Sequence, residues 1–197
     1  MKKNRIRLSP LTLPLWAMLL ALGGEAALLS LPAVAVHEMG HLAVMRAVGM
    51  GLRRLEITPL GLTILPAFPP RSAREGFFVA SGGIAANLAL CLACLLPPLS
   101  FLPAARVMAA MSLGLAAINA IPHPSLDGGA MLRELLSLRL PPDRVVPLCR
   151  IAGEAAMLPV ALGALYLLFY GLGGVSVYLF CAYLVWSLAK GEDGDGG

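Results

Sequence analysis

Charge is what this chain has least of. Only 13% of its 197 residues are Asp, Glu, Lys or Arg, against 58% hydrophobic, and its mean hydropathy is +0.81. A soluble domain carries about 25% charged residues, so this composition excludes a surface that faces mainly water. Acidic residues number 11 and histidines three, which leaves few groups able to ligate a metal or move a proton. Cysteine is scarce too. Cys91, Cys94, Cys149 and Cys181 all fall in or beside apolar segments, and the Cys91/Cys94 pair has neither a second pair nor a nearby His to complete a zinc site. No disulfide framework is implied, and these residues read as small buried apolar side chains. Basic residues lie between apolar runs rather than on one face, so the net charge of +4 gives no sign of a nucleic-acid partner.

What is present in quantity is long apolar runs, recurring from end to end, and their solvent is a lipid bilayer. The expected fold is an all-α polytopic membrane protein of about six transmembrane helices, with a short membrane-associated β-hairpin after the second. Residues 1–190 form one membrane domain and 191–197 an acidic, glycine-rich flexible tail. The first apolar segment, Leu11–Leu22, follows Lys2, Lys3, Arg5 and Arg7. It reads as a retained span rather than a cleaved secretory signal, because a second apolar segment, Ala26–Val48, follows almost at once. Later spans are expected from Phe77 to about Leu96, and at about Val107–Ile121, Val145–Tyr170 and Val175–Leu188. Leu52–Leu65 has β-branched residues and is punctuated by Pro59 and Gly61, which fits two short strands better than a helix. The prolines and glycines of Asn119–Gly129 forbid a continuous helix, and Arg133–Arg144 suits a short surface helix. With both termini in the cytoplasm, every Lys and Arg except Arg106 lies on the cytoplasmic side, the bias expected of six spans with both ends cytoplasmic. The expected location is integral and multi-pass in a bacterial-type cell membrane.

One stretch breaks the apolar pattern. Val36-His37-Glu38-Met39-Gly40-His41 is a His-Glu-x-x-His signature inside the second span, a match expected by chance in about one in a few hundred chains of this length. On a helix His37 and His41 are one turn apart and share a face, so both imidazoles can reach one ion. Glu38 beside them suits a base acting on metal-bound water. The bland alternative, three polar groups satisfied inside a helix bundle, places three ionisable residues within five positions of an apolar span, which is expensive. His41 lies five residues before Arg46, so the histidines are roughly 8–14 Å from the cytoplasmic end of the span. A catalytic zinc site takes a third protein ligand and keeps an open position. Asp127 is the strongest candidate, in a glycine-flanked broken segment at the cytoplasmic end of the fourth span. Glu25 lies on the far side, and Glu154 has Arg150 as an i,i+4 partner.

Taken with Asn119-x-x-Pro122-x-x-x-Leu126-Asp127-Gly128-Gly129 and Ser81-Gly82-Gly83-x-x-x-Asn87, the His-Glu-x-x-His motif resembles those of the site-2 protease family of intramembrane zinc metalloproteases. The compact form resembles the branch containing the sporulation protease that processes a pro-sigma factor. The resemblance implies one Zn2+ per chain held by His37, His41 and Asp127, with Glu38 activating the zinc-bound water. It implies a place near substrate or the developing oxyanion for Asn119 and, as a second-tier candidate, for Asn87. For each asparagine an interhelical hydrogen bond is the structural alternative. The implied activity is hydrolysis of a peptide bond in or near a transmembrane segment of a membrane-protein substrate. Regulation is expected to come through a partner membrane protein or a preceding trim of the substrate, since no stretch remains for an appended PDZ or CBS module.

Two positions depart from the family pattern. Ser125 stands where a proline often precedes Leu-Asp, and His123 occupies a variable position. His123 is expected to be a polar residue facing an aqueous cavity, with an extra ligand or a proton carrier as alternatives. The hairpin offers an edge on which an unwound substrate could be held as an added strand. Two other functions remain open. A non-cleaving zinc scaffold of the same fold would have no use for Glu38, and a small metal transporter would often show internal repeats, of which the sequence has none.

Overall fold

A computed structural model describes residues 6–8, 31–58 and 61–170. The first and sixth expected spans, the tail and Cys181 lie outside these. In order, the elements are strand β1 (Ile6–Leu8), helix α1 (described over 31–47), strands β2 (Leu52–Thr58) and β3 (Gly61–Pro66), and helices α2 (Ala73–Leu95), α3 (Pro103–Asn119), α4 (Asp127–Ser137) and α5 (Pro142–Phe169). A 3-10 turn, Leu99–Phe101, links α2 to α3. The protein is mostly helical with one small sheet. The chain divides into two compact units, Met1–Ile118 and Asn119–Gly197.

In the first unit, α1 stops where the sequence allows a left-handed residue. Gly49 has φ +73°. Its N–H donates to Arg46 O (3.2 Å) and that of Met50 to Met45 O (2.8 Å), the paired bonds of a Schellman cap. The hairpin forms where expected, β2 and β3 pairing antiparallel from Thr58↔Gly61 to Leu52↔Pro66 with a shift between Leu52 and Arg54. Strand β1 is absent from the sequence-based expectation. It pairs parallel with β2 (Ile6↔Leu55 to Leu8↔Ile57) and gives the order β1-β2-β3. Three residues are too few for a period-2 pattern to declare itself. One edge of β2 is thereby covered, and β3 forms the opposite edge of the sheet.

Helix α2 opens on Ser72, whose Oγ accepts from the Glu75 N–H (3.2 Å), while Glu75 Oε2 accepts from the Arg71 N–H (2.9 Å). This is a variant of the Ser-x-x-Glu capping box. Helices α1 and α2 cross where neither has a side chain. A Cβ on Gly40 would run into Gly82 O and stand 2.6 Å from Ala86 Cβ, and one on Gly82 would lie 3.0 Å from Val44 Cγ2. Backbone-to-backbone approach at small residues is how helices pack closely in lipid, and it sets α2 against the face of α1 that bears the histidines. On α3, Ala105, Ala109, Ser112 and Ala116 are the buried residues, and Ala105 and Ala109 form a cluster with Cys91 and Cys94. Those two cysteines are free and serve as packing.

In the second unit α4 starts at Asp127, ahead of the expected surface helix, because the Asp127 carboxylate favours a helix N-terminus. Helices α3 and α5 start on Pro103 and Pro142, a few residues before the apolar runs suggest, since proline is preshaped for the first helical position. Arg150 Nε donates to Glu154 Oε1 (2.8 Å), the expected i,i+4 pair. Pro147 and Pro159 lie inside α5, a placement tolerated in membrane helices.

Among the described residues, Ala73–Leu95 and Pro142–Leu167 are long and apolar enough to cross a bilayer. Their large apolar side chains point outward: Phe78, Leu88, Leu92 and Leu95 on α2 and Ile151, Leu158, Leu162 and Leu165 on α5 are all exposed. In water such continuous apolar faces would aggregate or seek a partner; in lipid they are the ordinary exterior. This is a membrane protein.

Candidate metal centre

The signature lies on α1 as its spacing requires. His37 is buried, only 5% exposed, while His41 and Glu38 are half-buried. The two histidines bring their Nε2 atoms to 3.2 Å from each other. Tetrahedral zinc with Zn–N bonds of about 2.0–2.1 Å needs its nitrogen ligands about 3.3 Å apart, so the pair is already set at the separation one ion demands. The same distance would suit an N–H···N bond, and the rest of the surroundings favour the ion.

His41 Nδ1–H donates to Val79 O on α2 (2.7 Å). A carbonyl only accepts, so the proton sits on Nδ1 and the Nε2 lone pair is left for a metal. This is the arrangement metal-bound histidines usually have. Gly83, also on α2, lies over the ligand nitrogens. A Cβ there would crowd His41 Nε2 and stand 2.6 Å from His37 Nε2, so only glycine leaves the space beside both nitrogens open. His37 Nδ1 is 3.1 Å from Asn87 Nδ2. Asn87 is fully buried, and its Oδ1 accepts no hydrogen bond from the described residues.

In the second unit the loop before α4 folds on itself. The His123 N–H donates to Ile121 O (2.7 Å) and the Leu126 N–H to His123 O (2.9 Å), and His123 Nδ1 accepts from the Ser125 N–H (3.1 Å). His123 is fully buried. It braces the loop, which corrects the expectation of a side chain facing an aqueous cavity: in so tight a turn, its own backbone offers a donor two residues on. A Cβ on Gly129 would collide with His123 O, so the second glycine of Asp-Gly-Gly is needed for closure. Asn119 is the last residue of α3 and is half-buried.

Among the described residues, His37, His41 and Asp127 are a group that could hold a metal ion, each offering one ligand atom. Two imidazoles and a carboxylate suit zinc and leave a fourth position for water or substrate. The donor set and the space kept clear by Gly83 both fit the ion. The sequence singled out these three residues and Glu38, Asn87 and Asn119. It did not single out Gly40 or the Val79 carbonyl. Gly40 was legible as a small residue inside the signature, but a backbone acceptor leaves no trace in a side-chain pattern.

No protein-family model matches the chain. No curated protein matches it. Among solved structures it is similar to the "Site-2 Protease from Methanocaldococcus jannaschii", with a TM-score of 0.68 and 18% identity over 96% of this chain and 92% of that one. The architecture that carries His37, His41 and Asp127 is therefore the site-2 protease fold.

Proposed function

We propose that this protein is an intramembrane zinc metalloprotease that cuts a membrane-protein substrate in or near a transmembrane segment. The observation that carries the reading is the group of His37, His41 and Asp127, with Glu38 next to the first ligand, on a site-2 protease fold. When bound, zinc would polarise the scissile carbonyl and acidify a water. Glu38 takes the proton from the attacking water and passes it to the leaving amine. The Val79 carbonyl fixes the tautomer of His41, and Gly83 keeps the space at the two nitrogens clear. Asn119 is assigned to the substrate backbone or the developing oxyanion. A chain of six spans with both termini in the cytoplasm puts this site near the cytoplasmic face, as the distribution of Lys and Arg supports.

Purified in detergent, the chain should carry one zinc. Asp127→Ala should weaken zinc binding by more than the roughly 10–100-fold typical of losing a residue that merely supports a ligand, as read by chelator competition. An unchanged affinity would remove Asp127 from the site. Co-expression with candidate single-span proteins then tests cleavage.

A helical substrate hides its carbonyls and must unwind before it can be cut. The edge of β3 offers main-chain groups to an extended peptide, while β1 covers the other edge of β2. Proline placed singly through Leu62–Leu65 should impair cleavage at the positions whose N–H faces outward, with zinc content unaltered. Full cleavage by every proline variant would rule the edge out.

A further inference from the structure

We propose that Asn87 is the positioning residue of His37, its side-chain amide holding the ring by Nδ1 so that Nε2 is presented to the metal. The proposal rests on the zinc reading above and assigns Asn87 a task apart from any contact with substrate. Its starting point is a mismatch. His41 shows what a ligand histidine has here: metal-facing Nε2, and an Nδ1–H that donates to the Val79 carbonyl. If His37 also binds through Nε2, its Nδ1 must carry a proton and needs an acceptor. The group that meets that atom is the Asn87 amide, with its nitrogen 3.1 Å away. The amide oxygen is buried and receives no hydrogen bond from the described residues.

A half-turn of the amide brings the acceptor to His37 and turns Nδ2 to the position Oδ1 leaves. Oxygen and nitrogen of an asparagine side chain are nearly the same shape, and their assignment follows the hydrogen-bond network. With Oδ1 turned toward His37, the orphaned acceptor receives the Nδ1–H, and the ring is locked in the tautomer that points a lone pair at the ion. With Nδ2 turned toward it, the same amide donates to a bare Nδ1, and His37 Nε2–H can donate across the 3.2 Å gap to His41 Nε2. An amide serves both states and a carboxylate only the first. That gives a physical reason for asparagine at this point on α2, one helical turn beyond Gly83 on the same face. Complete burial of Asn87 is consistent with action through His37.

The test is zinc affinity of the detergent-solubilised full chain, by chelator competition, for native protein and the variants Asn87→Leu, Asn87→Asp and His37→Ala. Asn87→Leu has no acceptor and should bind zinc about 10–100-fold more weakly. Asn87→Asp keeps an acceptor at the same reach and should bind at least as tightly as native. A merely interhelical hydrogen bond would instead lower the melting temperature of the metal-free Leu variant and leave zinc affinity unchanged, and that result overturns the proposal. So does an Asp variant as weak as Leu. If Asn87→Leu does not fold, Asn87→Asp decides alone, and a tenfold loss of affinity there is a refutation. A native chain that takes up no zinc, or a His37→Ala variant that binds as tightly as native, removes the metal site itself and the proposal with it. Zinc binding that needs His37 and ignores Asn87 removes only the latter.

Discussion

Glu38→Gln is expected to reduce cleavage of a membrane-protein substrate by about 10²–10⁴-fold, the usual contribution of a positioned general base, with zinc still bound at one per chain. Glutamine matches glutamate in shape and still accepts hydrogen bonds, but it cannot take a proton from water near neutral pH. Glu38 is not in the candidate ligand group, so the ion should stay. The measurement is single-turnover cleavage of a purified substrate by native and variant protein, with metal content read on the same samples. This variant also separates the competing functions. A zinc-binding scaffold would leave the substrate intact with either residue, and a metal transporter would keep its flux into vesicles after the change. Rapid cleavage by Glu38→Gln would move the base elsewhere and dissolve the link between the signature and the chemistry.

Gly83→Ala should empty the site with a single methyl group. Glycine in a helix interior costs about 1 kcal/mol relative to alanine, and Gly83 lies well inside α2 (Ala73–Leu95). If that glycine had no task, alanine would raise thermal stability and leave metal binding as it was. The structure predicts the reverse for the metal, because the new Cβ would stand 2.6 Å from His37 Nε2 and closer still to His41 Nε2, in the space an ion would use. Zinc content should fall to background while the helix content of the metal-free protein, by circular dichroism, stays native. An alanine variant that binds zinc like native protein would show that the histidines direct their lone pairs elsewhere.

Much of this site is legible in the chain itself. Helical periodicity is local, so the four-residue spacing of His37 and His41 is enough to place two imidazoles on one face. The rarity of charge makes each ionisable group in an apolar run a candidate, and Asp127 stands out for its setting beside Gly128 and Gly129. The hairpin is legible too, because Pro59 and Gly61 interrupt any helical pattern. Asn87 is visible only as a polar residue with two readings. Its partner, 50 positions away, depends on how α1 and α2 cross. His123 is the opposite case: polarity alone would send it toward water, but it is fully buried and its Nδ1 accepts from the Ser125 N–H within the same turn.

The sequence by itself determined the solvent of this protein, the helix bearing the signature, and the residues able to hold an ion, since composition and short-range spacing need no partner segment to be read. Tertiary structure alone decided which backbone meets which: the Gly40–Gly82 crossing, the Val79 carbonyl on His41, the cradle under Gly83, the amide against His37, and β1 on the rim of the hairpin. Those contacts join residues distant along the chain, and they rest on small side chains and main-chain atoms, which resemble one another in sequence until folding sets them face to face.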